Sequence, residues 1–334
     1  MKYFPWLWCL CFFACQTVES QDTNSREKMK GLSFTAPMQA LDSLDMKEVQ
    51  AVHADWIALM PYSYLRKDSS RLHWNSPWQY WGETRRGIIE SIRLAKENKL
   101  HIMLKPHIWA MHGAFTGHLS FQKAEDWLNF EQSYREYVLD YAKIADSMQV
   151  EAFCLATELE TMIAQRPLFF DSLIANIRKV YHGKLTYAAN WDGYEKVHFW
   201  KQLDFIGIDA YFPLCEEKKP STNTLKKGWK KHIAAMEKCS KTHQKPIVFT
   251  EFGYRNIDFA AQKPWESNTK FSQNDAAQAI CYQAIFDCVW KQSWFAGGFV
   301  WKWYDRRNHE KGYQSTDYSP QGKAAMQIIQ QNYQ

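Results

Sequence analysis

Two glutamates stand at the ends of short apolar runs, Phe153-Cys154-Leu155-Ala156-Thr157-Glu158 and Ile247-Val248-Phe249-Thr250-Glu251-Phe252-Gly253. Runs of this length and composition read as buried strands. Two carboxylates facing each other about 5–5.5 Å apart can open a glycosidic bond with retention. One attacks the anomeric carbon; the other protonates the leaving oxygen and then activates water. A free glutamate titrates near about 4.3, and the charge of one member keeps the other protonated toward neutral pH. Strand alternation puts Ile247, Phe249 and Glu251 on one face, and Ala152, Cys154, Ala156 and Glu158 on another. If both faces point inward, both carboxylates emerge at one end of the fold. A single glutamate at a strand end reads as a structural ion pair; two such residues among aromatics read as catalysis. Glu160 shares the parity of Glu158 and is the second candidate for its place.

Other strand ends carry groups suited to sugars. Asn190 and Trp191 end one run and can bond hydroxyls and stack on a ring. Lys105 and His107 end another and share a face; such a pair needs a ligand or an internal partner such as Asp209. The neighbouring loops hold Tyr62, Tyr64, Trp74, Trp78, Tyr80, Trp81 and Trp109. Aromatic faces pack on the C–H faces of pyranose rings, although some of these rings can equally roof the core. The chain has 16 Trp, 17 Tyr and 20 Phe, and eight of the tryptophans (74, 78, 81, 109, 191, 265, 301 and 303) fall at strand ends or just after them. His101, His107, His112 and His118 do not make a metal pattern, because the first strand lacks histidine. No metal and no cofactor is expected.

These residues need a scaffold that gathers strand ends. Strand candidates are Gly31–Pro37, Trp56–Tyr62, His101–His107, Glu151–Glu158, Lys184–Asn190, Asp204–Tyr211, Pro246–Glu251 and Gly297–Trp303, with helical periodicity between them. Thr84–Asn98, for instance, repeats apolar residues at Ile88, Ile89, Ile92 and Ala95. Eight alternations predict an α/β fold, a single (β/α)8 TIM barrel. A doubly wound sheet would carry a Gly-rich turn after its first strand; Ser33-Phe34-Thr35-Ala36-Pro37 is not one. Helix-to-strand turns such as His182-Gly183 are short and strand-to-helix loops such as 62–83 and 254–274 are long, which places the long loops at the C-terminal face where barrel active sites are built.

The 334 residues are 46% hydrophobic and 23% charged, an ordinary globular composition. The net charge of +5 is scattered, which excludes the basic stripe of a nucleic-acid binder. Residues 1–14 read as an export signal: one lysine, then an apolar run from Tyr3 to Ala14 too short to span a bilayer. Phe12-Phe13-Ala14-Cys15 resembles a bacterial lipobox with Cys15 as the lipidated residue, although Phe replaces the usual Leu. Residues 15–30 read as a polar tether, and 31–334 as the catalytic domain. The expected location is a bacterial membrane or cell surface through the lipid anchor alone, with secretion as the alternative, and the expected state is a monomer. Cys154, Cys215, Cys239, Cys281 and Cys288 match no zinc spacing and read as buried thiols.

Thr157-Glu158 and Thr250-Glu251-Phe252-Gly253-Tyr254 resemble the clan A glycoside hydrolases. Within the clan the sequence most resembles glycoside hydrolase family 113, the retaining β-mannanases, from Gly31-Leu32-Ser33-Phe34 to Asp317-Tyr318-Ser319-Pro320-Gln321-Gly322-Lys323. The resemblance implies a (β/α)8 barrel with Glu158 as acid/base, Glu251 as nucleophile, Tyr211 bonding the nucleophile, and a strand-eight tryptophan as a sugar platform. Trp301, which shares the parity of Phe299, is the choice. It also implies a β-1,4-mannan, glucomannan or manno-oligosaccharide substrate. Most of the clan has Asn before the acid/base; Thr157 here leaves the contact to the sugar 2-hydroxyl unassigned. The alternatives are action on xylan or β-glucan, exo action on short oligosaccharides, and a non-catalytic carbohydrate-binding lipoprotein.

Overall fold

The computed structural model describes residues 1, 27–110, 113–268, 270–308 and 315–334. The export signal, most of the tether and Cys15 lie outside the described residues. Strands are β1 (Met29–Phe34), β2 (Trp56–Leu59), β3 (Tyr62–Leu65), β4 (Leu72–Trp74), β5 (His101–Leu104), β6 (His107–Ala110), β7 (Ala152–Thr157), β8 (Lys184–Asn190), β9 (Ile206–Asp209), β10 (Ile247–Phe252) and β11 (Phe295–Trp303). Eight of them close a parallel barrel in the order β1-β2-β5-β7-β8-β9-β10-β11, and β11 pairs with β1. The main helices around it are α1 (Ser43–Ala51), α2 (Arg85–Glu97), α3 (Ala124–Ser147), α4 (Glu160–Gln165), α5 (Pro167–Arg178), α6 (Thr222–His243), α7 (Asp275–Cys288) and α8 (Ala324–Tyr333). This is the expected (β/α)8 TIM barrel. No helix among the described residues is long and apolar enough to cross a membrane.

Local chemistry sets the helix boundaries. The Thr84 side chain accepts from the Gly87 N–H and caps α2, whose Ile88, Ile92 and Ala95 are buried. Helix α1 shows weak periodicity, burying only Asp45, Met46 and Val49, and is defined instead by an Asp42/Asp45 capping box.

Two packing layers result. A small inner cluster fills the barrel with Met29, Trp56, Ala58, Met103, Ala152, Phe205, Val248, Ala296 and Phe299; the larger cluster lies between strands and helices. Barrel closure is tight at two glycines. A Cβ on Gly31 would meet the Phe299 ring at 2.3 Å. One on Gly297, whose φ is +111°, would meet the Met29 backbone at 2.3 Å.

Three expectations are corrected. Strand β1 begins at Met29, inside the expected tether, because Met29 pairs with Gly297. The second and third predicted strands are too long. Pro61 and Pro106 have no N–H for the ladder, so the barrel strands stop at Leu59 and Leu104. The chain resumes at Tyr62 and His107 as a separate three-stranded sheet, β4-β3-β6, at the barrel mouth. Finally, Val248 faces the barrel interior while Ile247 and Phe249 pack in the outer layer. Simple alternation would turn Glu251 outward with Phe249; a register shift between Phe249 and Glu251 against β9 redirects it.

Candidate active site

Glu251 is held from two sides. Lys105 Nζ donates to its Oε1 at 2.5 Å and the Tyr211 hydroxyl donates to its Oε2 at 2.8 Å. Lys105 continues the inward face of Met103 beyond the end of β5, and its ammonium also donates to Asp209 Oδ1 at 2.9 Å. Asp209 Oδ1 accepts from the Thr250 hydroxyl at 2.7 Å as well. Lys105 is fully buried, Asp209 is 1% exposed and Glu251 6%. Lys105 is therefore committed to carboxylates under the cleft. This corrects its expected place as a sugar contact, and the internal partner is Asp209 together with Glu251.

Glu158 enters the same cavity from the end of β7. Its N–H donates to the Ala188 carbonyl at 2.9 Å, and its φ of +48° lies in the left-handed region, uncommon for a residue with a side chain. Glu160 is carried to one side: it opens α4, accepts weakly from the Asn190 N–H at 3.4 Å, and lines an adjoining pocket that does not include Glu158 or Glu251.

Two adjoining cavities share Glu158, Glu251, Phe115 and Trp301. One, of about 240 Å3, is lined by Tyr62, His107, Trp109, Thr157 and Asp209. The other, of about 600 Å3, is lined by Asn190, Trp191, Tyr211, Trp265 and Tyr318. The carboxylates thus sit at the junction of a through-going cleft with aromatic walls on both sides. Trp191 stacks on Trp265 with ring centroids 5.0 Å apart, and Trp301 stacks against His107 at 6.5 Å.

The electrostatics separate the two glutamates. Burial, then Asp209, then Glu251 and Glu160 push Glu158 well above the usual carboxylate range. Glu251 is also raised by burial and Asp209, but Lys105 and Tyr211 pull it back, to about 7. Only Glu251 accepts hydrogen bonds from Lys105 and Tyr211, which favour its ionised form. Burial and Lys105 hold His107 well below the usual histidine range, so its ring is neutral; its Nε2 lies 3.8 Å from Glu251 Oε1. Among the described residues His107 Nε2, Thr157 Oγ1 and Asp209 Oδ2 have no hydrogen-bond partner, and all three residues line the smaller cavity.

Of the sequence-selected residues, the fold gathers Glu158, Glu251, Tyr211, Trp301, Asn190, Trp191, His107, Trp109 and Tyr62 around one cleft. Trp78 lies beyond it, in an adjoining cavity that shares Trp109. Trp81 lies in a short turn, its N–H and that of Gly82 bonded to the Met38 and Pro37 carbonyls, and lines none of these cavities. Trp303 is 2% exposed in the core. Phe115 and Tyr318 were not selected and do line the cleft, as does Trp265, one of the eight tryptophans expected near the strand ends. Phe115 comes from a long loop whose path no local pattern reveals. The five non-signal cysteines are free thiols.

Comparison with known proteins follows this geometry. The family model described as Glycoside Hydrolase Family 113 matches residues 33–323. No curated protein matches the sequence. Among solved structures, a family 113 β-mannanase from Alicyclobacillus acidocaldarius in complex with ManMIm is 22% identical. The match covers 92% of this chain and 97% of that one, with a TM-score of 0.79. A complex of a family 113 β-1,4-mannanase is 24% identical over 92% and 99%, with a TM-score of 0.78. A β-glucuronidase from Ruminococcus gnavus is 14% identical over 92% and 50%, with a TM-score of 0.62. The chain belongs to glycoside hydrolase family 113 and is a glycoside hydrolase.

Proposed function

We propose that the chain cleaves internal bonds of β-1,4-linked mannan, glucomannan or manno-oligosaccharides by double displacement. The observation that carries this reading is the unequal treatment of the two glutamates. Glu251 receives a buried ammonium and a hydroxyl; among the described residues nothing donates to the Glu158 carboxyl. Glu251 attacks the anomeric carbon, the bond to the leaving oxygen breaks, and Glu158 gives that oxygen its proton. Water then loses a proton to Glu158 and attacks the glycosyl ester, releasing Glu251 and a sugar of unchanged anomeric configuration. Buried polar atoms facing a cavity gain most when a ligand bonds them, so His107, Thr157 and Asp209 are suited to sugar hydroxyls beside the reacting carbon. Cavities on both sides of the pair suit internal cleavage, and the mannanase names of the similar structures favour mannan.

The test is hydrolysis of β-mannan, glucomannan, xylan and β-glucan by wild type and Glu251→Ala, with NMR of the first product. Mannan cleavage with retention, lost in the variant, is expected. Inversion, or binding without hydrolysis of any glycan, overturns the reading. Export with lipidation at Cys15 is part of the proposal. It requires that Cys15→Ser abolish fatty-acid labelling.

A further inference from the structure

Strands β3 and β6 pair in parallel with Tyr62 opposite His107 and Tyr64 opposite Trp109. Residues two apart on a strand share a face, about 6.6 Å on. The first pair lies in the catalytic cavity, with ring centroids 5.2 Å apart. The second pair lines another cavity, of about 570 Å3, whose remaining walls include Trp78, Arg66, Asp68 and His73. Trp109 lines both cavities, so the two adjoin. The small sheet is thus a ladder of ring pairs leading away from Glu251, with a step comparable to one pyranose unit.

The outer rung is built rather than incidental. The Tyr64 hydroxyl donates to Glu83 Oε2 at 2.9 Å, and Glu83 is 6% exposed. Trp78 stands edge-on to the Tyr64 ring at 4.5 Å. Trp78 nevertheless leaves 61% of its surface in water and Trp109 49%. Large rings fixed in place yet exposed, beside charged groups, match what a sugar presents: apolar C–H faces and a rim of hydroxyls.

We propose that this outer cavity is a distal subsite that binds further sugar units of the same linear β-linked chain whose scissile bond lies at Glu158 and Glu251. The proposal rests on the reading of that pair as a β-glycan hydrolase. It makes the enzyme prefer long chains, because the fixed rings lose little freedom on binding.

The test uses calorimetric titration in the Glu251→Ala background, comparing Trp78→Ala and, separately, His73→Ala with the background protein. The ligands are β-1,4-mannohexaose and β-1,4-mannobiose. Trp78→Ala should weaken the hexaose by roughly tenfold and leave the biose unchanged; His73→Ala should act in the same direction. Both side chains are exposed, and an unchanged melting temperature checks that the fold is intact. Equal affinities for the hexaose with and without Trp78 overturn the proposal, as does a Trp78→Ala effect on sedimentation instead of on glycan affinity, which would make this face a contact between copies. If wild type hydrolyses xylan or β-glucan and not mannan, the mannan reading fails by itself. The same titration with the matching hexa- and disaccharide then still decides the subsite.

Discussion

The Lys105 ammonium lies 2.5 Å from Glu251 Oε1 and 2.9 Å from Asp209 Oδ1 with no exposure to solvent. One buried cation therefore serves two buried carboxylates, and burial raises the cost of losing it. Lys105→Met should lower kcat by on the order of 10²–10³, comparable to the loss of one preorganised charge partner. It should also move the acidic limb of the pH profile upward, since Glu251 loses the group that holds it ionised. Removing one partner of such a cluster costs about 3–5 kcal/mol, so the melting temperature should drop at pH 8. Unchanged kcat with an unchanged acidic limb would contradict this role.

The pH–rate profile follows from the two carboxylates. The proposed double displacement requires Glu251 ionised and Glu158 protonated. Burial and Asp209 push Glu251 up to about 7, and the same causes push Glu158 well above the usual carboxylate range. The profile of kcat/KM should rise through pH 7 as Glu251 ionises and fall at higher pH as Glu158 loses its proton, with limbs that belong to the coupled pair. Asp209→Asn removes a negative charge that raises Glu251, so its acidic limb should move to lower pH. A limb that stays in place, or rises, would show that Asp209 acts on Glu251 chiefly through the geometry of Lys105.

Glu158 should lower stability in alkaline solution. Its folded pKa is above the unfolded value of about 4.3. The native state then binds more protons than the unfolded chain. The stabilisation is complete below the unfolded pKa and is lost as pH rises through the folded one. Glu158→Gln, which needs no proton, should melt higher than wild type at pH 8, and the gap should close below about pH 4. Activity on polysaccharide should fall by about 10²–10⁴ with loss of the general acid. Melting curves at both pH values check the sign.

Gly297→Ala should strain the seam between β11 and β1. The positive φ disfavours any side chain and the added Cβ would strike the Met29 backbone. A loss of about 2–4 kcal/mol is expected, read as a lower denaturation midpoint with no change in m. An unaltered midpoint would mean that Met29 can move aside freely.

The strand–helix alternation and the positions of both glutamates are readable from the sequence. Apolar spacing is a local property; Phe299, Trp301 and Trp303 share one parity, and only the fold puts Trp301 in the cleft and Trp303 in the outer core. Parity misleads in β10, where Val248 and not Phe249 faces inward. There the register shift before Glu251 comes from pairing with β9, and such pairing is a property of two strands. Pro61 and Pro106 are visible in the sequence, but the sheet they release at Tyr62 and His107 is stabilised by pairing between β3 and β6, which are distant in sequence. The largest difference concerns Lys105. Its type and position follow from the sequence; that it bonds Glu251, 146 residues away, depends on barrel closure bringing β5 and β10 to one mouth. The sequence by itself determined the scaffold and the two carboxylates, because local patterning encodes them. The tertiary structure alone decided which carboxylate receives a buried ammonium and a tyrosine hydroxyl, because that depends on which distant groups share its buried surroundings.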